Sequence, residues 1–134
     1  MRVIDASAIA KYLLREEHWE QVRDQLAAEP CSLDLALAEA ANTIWKHQVI
    51  YRKISGREAT LLYEALQKLG ADVLILESFV GYLTAAVELG AKEKLTIYDA
   101  LYVAQAQKHG YFVTSDELQR KVAVNLGLEV VFIE

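Results

Sequence analysis

The stretch YFVTSDELQRKVAVNLGLEVVFI, residues 111–133, decides the fold. It opens with a short apolar run, Tyr111–Thr114, of the kind that forms a strand buried on both faces. Ser115 to Asn125 then reads as a short helix, Gly127 as its stop, and LEVVFI as a last strand. Two such strands joined through one helix are a parallel pair, because a hairpin turn has no place between them.

The same alternation runs back through the chain. Ahead of Tyr111, Thr96 opens a helix that reaches about His109, with Gly110 as its stop. Before it, Ser78 opens a helix with Phe79, Leu83, Ala86 and Val87 on one face, ending at Gly90, and AKEKL is expected as a charged loop. Val73–Leu76 (VLIL) reads as a buried strand. Ser55 and Glu58 have capping-box spacing, and the helix they start carries Leu62, Ala65, Leu66 and Leu69 on one stripe, with Gly70 as a left-handed stop. The segment from Cys31 begins as a short strand and turns helical through LALAEAANTIWKHQVI. At the front, Arg2–Asp5 is β-rich and two helical patterns follow, the second halted where Pro30 forces Glu29 out of helical geometry. We therefore expect a single domain over residues 1–134: an α/β/α three-layer sandwich around a mostly parallel sheet of four or five strands. In such sheets the ligand site lies beyond the carboxyl ends of the strands, at the switch in strand order.

Composition narrows the function classes. The chain of 134 residues is 54% hydrophobic and 25% charged, which excludes disordered and collagen-like classes. One cysteine, Cys31, cannot form an internal disulfide and is expected as a buried filler. No apolar run has the length of a signal peptide or a membrane span, so a cytoplasmic protein with no membrane partner is expected. The net charge of −5 is opposite to that of a general nucleic-acid binder. If phosphates are the substrate, bound metal or a basic partner must offset the carboxylates. Lys46, His47, Arg52, Lys53 and Arg57 form one basic group, read as solvated surface, as are Lys92 with Lys94 and Arg120 with Lys121.

Four acids stand where chemistry is expected. Asp5 ends the first strand and Asp116 follows the Tyr111–Thr114 strand. Asp99 lies in the first turn of LTIYDALYVAQAQ, and Glu39 interrupts the apolar LALAEAANTIW. Each has a plain structural use: Asp5 or Ser7 as a cap, Asp116 in a helix first turn capped by Ser115, Thr96 to Asp99 as a capping box, and Glu39 in an ion pair. Yet a carboxylate flanked by apolar residues is costly unless partnered, and Asp99 and Glu39 have no basic neighbour within a helical turn. Converging carboxylates repel by roughly 4 kcal/mol per pair at ~4 Å and an effective dielectric of 20. Such a site requires a cation or several protonated acids; where a cation binds, oxygen ligands select Mg²⁺ or Mn²⁺, ions able to assist phosphodiester hydrolysis.

The strings Val3-Ile4-Asp5-Ala6-Ser7, Ala38-Glu39-Ala40-Ala41-Asn42, Ile97-Tyr98-Asp99-Ala100-Leu101-Tyr102 and Val113-Thr114-Ser115-Asp116 together resemble the PIN-domain nucleases. More narrowly, they resemble the VapC-type toxins of toxin–antitoxin pairs, with the motifs in family order from residue 3 to residue 132. The resemblance implies a metal-binding quartet of Asp5, Glu39, Asp99 and Asp116, with Ser7, Asn42 and Thr114 in supporting roles. It also implies hydrolysis of RNA leaving a 5′-phosphate and a 3′-hydroxyl, a homodimer, and a small antitoxin that inserts a basic side chain into the acidic groove. Asp34 competes with Glu39 for the second position, but only Glu39 is in register with the pattern.

Other chemistries find less support. His18, His47 and His109 lack metal-ligand spacing, so zinc is not expected. No nucleophile elbow, Walker loop or dinucleotide fingerprint is present. An aspartyl phosphatase built on Asp5 needs a second carboxylate two residues on, where Ser7 stands instead. A catalytically silent binding module keeps the same fold and is the alternative to an enzyme. Tyr98 and Tyr102, beside Asp99, are the aromatic candidates for lining a substrate groove.

Overall fold

Five strands of three or four residues form the centre of the molecule, and a computed structural model describes all 134 residues. The elements run β1 (Arg2–Ile4), α1 (Ala6–Leu13), α2 (Trp19–Leu26), β2 (Cys31–Leu33), α3 (Leu35–Trp45) and α4 (Gly56–Lys68). They continue with β3 (Ile75–Glu77), α5 (Leu83–Glu93), α6 (Ile97–His109), β4 (Tyr111–Thr114), α7 (Glu117–Asn125) and β5 (Glu129–Phe132). All pairings are parallel, in the order β3-β2-β1-β4-β5. This is the α/β sandwich expected, at the upper end of the expected strand number.

Strand order dictates the layers. The chain steps outward from β1 to β2 to β3, then returns across the sheet to β4 and β5. With right-handed crossovers, the reversal puts α1 to α4 on one face and α5 to α7 on the other. The packing agrees: α1 meets α2, α3 and α4, whereas α6 meets α5 and α7. Between the layers, Val3, Ile4, Cys31, Leu33, Phe112 and Val113 are fully buried. Each large apolar side chain so buried stabilises the fold by roughly 1.5–3 kcal/mol. The switch point falls between β1 and β4, where Ile4 pairs with Val113 and the next residue of each strand, Asp5 and Thr114, comes alongside.

Local chemistry sets most element ends. Ser55 Oγ accepts from the Glu58 amide at 3.0 Å while Glu58 Oε1 accepts from the Ser55 amide at 3.2 Å, so the capping box forms. Glu29, ahead of Pro30, takes φ +52°, and Gly110 and Gly127 are left-handed stops at +87° and +80°.

Four expectations need correction. Gly70 is not a left-handed stop. It lies in a wide turn, Leu69–Val73, closed by the Leu74 amide on the Leu69 carbonyl at 2.8 Å, and β3 accordingly starts at Ile75 rather than Val73. Gly90 does not end its helix either: α5 continues through most of AKEKL to Glu93, and Lys94 supplies the left-handed cap. Leu83 and Val87 are exposed, because the face of α5 turned inward is that of Ala86, Leu89 and Gly90. Finally, α7 is capped by Asp116, not Ser115.

Candidate active site

At the carboxyl end of β1, Asp5 turns into α1 and caps it, with Oδ1 accepting from the Ala8 amide at 3.0 Å. Two hydroxyls complete its shell. Ser7 Oγ donates to Oδ1 at 2.7 Å, and Thr114 Oγ1, at the end of the neighbouring β4, donates to Oδ2 at 2.5 Å. The same hydroxyls shape the other strand end: Thr114 Oγ1 accepts from the Asp116 amide at 2.9 Å and Ser7 Oγ from the Ser115 amide at 3.0 Å. Those two bonds hold Ser115 and Asp116 out of the helix, which explains why the cap falls one residue later than the sequence suggests. Asp116 Oδ1 then accepts from the Gln119 amide at 2.8 Å.

Asp99 enters from the opposite direction, in the first turn of α6, where Thr96 Oγ1 accepts from its amide at 3.2 Å. Gln119, one turn into α7, donates through Nε2 to Asp99 Oδ1 at 3.0 Å and so bridges α7 to α6. Glu39 projects from α3, where Oε1 accepts from the buried Tyr102 hydroxyl at 2.6 Å. Four elements from both helical layers thus meet at the switch point.

They border a cleft of about 350 Å³ lined by Ser7, Glu39, Asn42, Lys46, Asp99, Tyr102, Asp116 and Gln119, among others. Asp5 is not among the lining residues: it is fully buried behind them. Burial pushes its carboxyl up to about 6; the hydrogen bonds from Thr114, Ser7 and Ala8 oppose this, and the charge of Asp116 adds to it. Asp99 is raised by burial and by Asp116, and Glu39 by burial and by Asp99. Repulsion thus links Asp5 to Asp116, Asp116 to Asp99, and Asp99 to Glu39. No Lys or Arg forms an ion pair with any of them.

This donor set fits a hard divalent cation. It is all oxygen, three of its carboxylates line a polar cleft with the fourth buried behind them, and its repulsion is what a 2+ ion removes. Asp5 Oδ2 accepts a single hydrogen bond and so keeps a lone pair, whereas Oδ1 accepts two. The carboxylates are strung around the cleft without converging on a point: the one set of three metal-ligand atoms within 4.8 Å of one another lies elsewhere in the chain.

Of the acidic quartet and its supporting residues, all but Asp5 and Thr114 border the cleft, and those two are buried behind its wall. Asp34 does not take part. It follows β2, and its Oδ1 accepts from the Phe79 amide at 3.1 Å. Of the basic group around residue 50, Lys46 alone reaches the cleft. Tyr102 lines it, while Tyr98 is exposed and lines a separate apolar groove with Leu35, Phe79, Leu83 and Ile97. Sequence reasoning missed Gln119; its only signal is its place three residues after Asp116, on the helix face turned inward.

Known proteins share this arrangement of chain and fold. Residues 2–125 match the PIN domain family. Ribonuclease VapC3 of Pyrobaculum aerophilum is 39% identical over 112 residues, 81% of this chain and 82% of that protein. Among solved structures, PAE2754 from Pyrobaculum aerophilum superposes with a TM-score of 0.64 at 23% identity, covering 93% of this chain and 92% of that one. FitAcB from Neisseria gonorrhoeae gives 0.63 at 18% identity, over 99% and 97%. At those identities the two structures speak for the fold, which is the one described above. With a family match over most of its length and a relative alike over four-fifths of it, this chain belongs to the PIN domain family.

Proposed function

We propose that this protein is a divalent-metal-dependent ribonuclease and the toxin of a toxin–antitoxin pair. The observation that carries the reading is the meeting of four carboxylates at the β1–β4 switch point, Glu39, Asp99 and Asp116 lining one cleft and Asp5 buried behind them, with no Lys or Arg in an ion pair with any of the four. The 39%-identical relative, named as a ribonuclease of the VapC group, supports RNA as the substrate.

In this reading Asp5, Glu39, Asp99 and Asp116 hold Mg²⁺ or Mn²⁺. When bound, such an ion polarises the phosphodiester and favours ionisation of a nearby water. The chain's own groups set the stage. Ser7 and Thr114 fix both oxygens of Asp5, Gln119 orients Asp99, and Tyr102 orients Glu39. Asn42 and Lys46, both exposed at the rim, are placed to contact phosphate. Because the remainder of the cleft is acidic, a partner that inserts a Lys or Arg there would inhibit by neutralising the same carboxylates. Exposed Val80, Leu83, Val87, Ile97 and Tyr98 on and beside α5 and α6 support a homodimer. Sedimentation showing only monomer at micromolar concentration would contradict the dimer. No helix is long and apolar enough to cross a membrane, in keeping with a cytoplasmic site of action.

Incubation with structured RNA in Mg²⁺, Mn²⁺ or EDTA, alongside Asp99→Asn, tests the nuclease. Metal-dependent cleavage lost in the variant is expected. RNA binding without cleavage in either cation would favour a silent binding module, and release of phosphate from small esters without RNA cleavage a phosphatase.

A further inference from the structure

The set of three metal-ligand atoms that does converge lies on the far side of α6. Cys31 of β2, Glu77 at the end of β3 and His109 at the end of α6 bring a sulfur, a carboxylate oxygen and a ring nitrogen within 4.8 Å of one another. The sheet register explains the meeting. Leu33 pairs with Glu77, and Cys31, two residues before Leu33, points to the same face as both. Helix α6 covers that face, and its last residue before the Gly110 stop is His109. These residues are 32 and 46 positions apart, which is why no local spacing announces them.

Glu77 is the centre of the group. Tyr82 OH at 2.8 Å, Gln105 Nε2 at 3.0 Å and His109 Nε2 at 2.8 Å all reach the same oxygen, Oε1. Oε2 has only Lys108 Nζ near it, at 3.7 Å, and that lysine is largely exposed. Three donors on one oxygen hold the Glu77 carboxylate in a fixed orientation beside Cys31 and His109. Gln105 is fully buried, and its amide oxygen has no partner. A buried acceptor left open beside three ligand-type side chains is the feature that a packed apolar core would not contain.

We propose that Cys31, Glu77 and His109 form a zinc site, with water as the fourth ligand, that clamps the end of α6 to the β2–β3 edge of the sheet. Donor chemistry selects the ion: one sulfur, one imidazole and one carboxylate suit borderline Zn²⁺, whereas Mg²⁺ and Mn²⁺ favour oxygen alone. Charge agrees, since a thiolate and a carboxylate neutralise a 2+ ion and leave a neutral assembly, the form a half-buried site tolerates. Binding replaces the sulfur–proton bond by a sulfur–zinc bond and the Nε2–H bond that His109 directs at Glu77 by a nitrogen–zinc bond; the thiol proton leaves to solvent, the neutral ring carries its proton on Nδ1 instead, and no electrons are transferred. Gln105 supplies an acceptor for the bound water. Solvent reaches the site past Glu77 and His109, whose side chains are 26% and 11% exposed, while Cys31 is sealed beneath them. The clamp sits ten residues from Asp99 along α6, about 15 Å at 1.5 Å per residue, so it is separate from the acidic cleft.

Cobalt(II) is the probe, used on the full chain. One equivalent is expected to give a thiolate-to-metal charge-transfer band in the near ultraviolet and the visible bands of tetrahedral cobalt, both removed by added Zn²⁺. The bands are expected to persist in Asp99→Asn, to vanish in Cys31→Ala, and to require at least about tenfold more cobalt in His109→Ala. His109→Ala truncates a partly exposed helix end, which keeps the test open if Cys31→Ala does not fold. Absence of the charge-transfer band in the wild type, or its survival in a folded Cys31→Ala, overturns the site. Loss of cobalt binding in Asp99→Asn alone would assign the metal to the acidic cleft instead.

Discussion

Tyr102 and Glu39 are joined by a 2.6 Å hydrogen bond that ties α6 to α3 across the acidic cleft. The hydroxyl is buried, and its proton is held tightly: burial and the Glu39 charge both raise the Tyr102 pKa far above that of a free phenol. The bond in turn opposes the upward shift that burial imposes on Glu39. Tyr102→Phe leaves ring and packing in place but strands the carboxylate. We expect a loss of about 1–2 kcal/mol in urea denaturation at neutral pH. An unchanged midpoint would mean that water replaces the hydroxyl at no cost.

Thr114 supports both ends of the switch point, donating to Asp5 Oδ2 and accepting from the Asp116 amide. Thr114→Val keeps shape and β-branching yet removes both bonds. Because the site is buried, a loss of about 2–4 kcal/mol is expected, more than for Ser7→Ala at the cleft wall. Urea titration of the two variants in the same buffer decides; equal losses would show that the Thr114 hydroxyl is no more important than that of Ser7.

How much of this could be read from sequence follows from what each signal depends on. The strand–helix alternation, the Ser55–Glu58 capping box and the stops at Gly110 and Gly127 are local, and all of them reappear in the structure; of the Thr96–Asp99 box only the bond from the Asp99 amide to Thr96 forms. Gly70 and Gly90 misled because glycine can be selected by a neighbour's approach as well as by φ. A Cβ on Gly90 would lie 2.9 Å from the Leu95 carbonyl oxygen, and one on Gly70 3.1 Å from Leu37. The faces of α5 were misjudged for a related reason: a close helix pair buries small residues and leaves Leu83 and Val87 outside. The acidic quartet was legible because strand ends and apolar flanks are sequence features. Gln119, Lys46 and the Cys31–Glu77–His109 group were not, since each depends on which helix face meets which strand.

Asp5 makes the metal-free protein sensitive to pH in a direction unusual for a carboxylate. Its pKa is 3.8 unperturbed and about 6 when folded. Between those values the folded state holds a proton that the unfolded chain has lost, so stability falls as pH rises from about 4 to about 6 and is level above that. The shift corresponds to roughly 3 kcal/mol. Glu39 and Asp99 are raised too and act in the same sense. In EDTA, stability is expected to decline across this window, and less steeply in Asp5→Asn. Adding Mn²⁺ at neutral pH is expected to restore it, by about 2.7 kcal/mol at one hundred times the dissociation constant. A flat profile in EDTA would place the Asp5 proton elsewhere.

Lys46 is the one cationic side chain lining the cleft. In the proposed reading this exposed lysine, beside three carboxylates, contacts phosphate and adds little to the fold. For RNA bound to Asp99→Asn, which separates binding from cleavage, adding Lys46→Ala is expected to weaken affinity and to reduce the salt slope by roughly 0.7–0.9. Thermal stability should stay within about 0.5 kcal/mol. Equal salt slopes with and without Lys46 would move the phosphate contacts to Arg52, Lys53 and Arg57, beyond the cleft.

Gly90 couples the α5–α6 packing to the acidic site. Helix propensity alone favours alanine there by about 1 kcal/mol, since Gly90 lies within α5 at an ordinary helical φ. Sterics oppose it: the new Cβ would meet a backbone oxygen, Leu95 O, which cannot rotate away, and then Ile97 Cδ1 at 3.3 Å. Relief requires shifting the Leu95–Thr96 segment, and Thr96 caps the turn that carries Asp99. Gly90→Ala is therefore expected to destabilise by about 1–3 kcal/mol, as overpacking does. Gly81→Ala, with nothing within 4 Å of its Cβ, serves as the control for the change of residue itself. The diagnostic result is a smaller Mn²⁺-induced rise in midpoint for Gly90→Ala than for Gly81→Ala. If Gly90→Ala loses stability but keeps the full Mn²⁺ effect, the contact supports the fold without positioning Asp99.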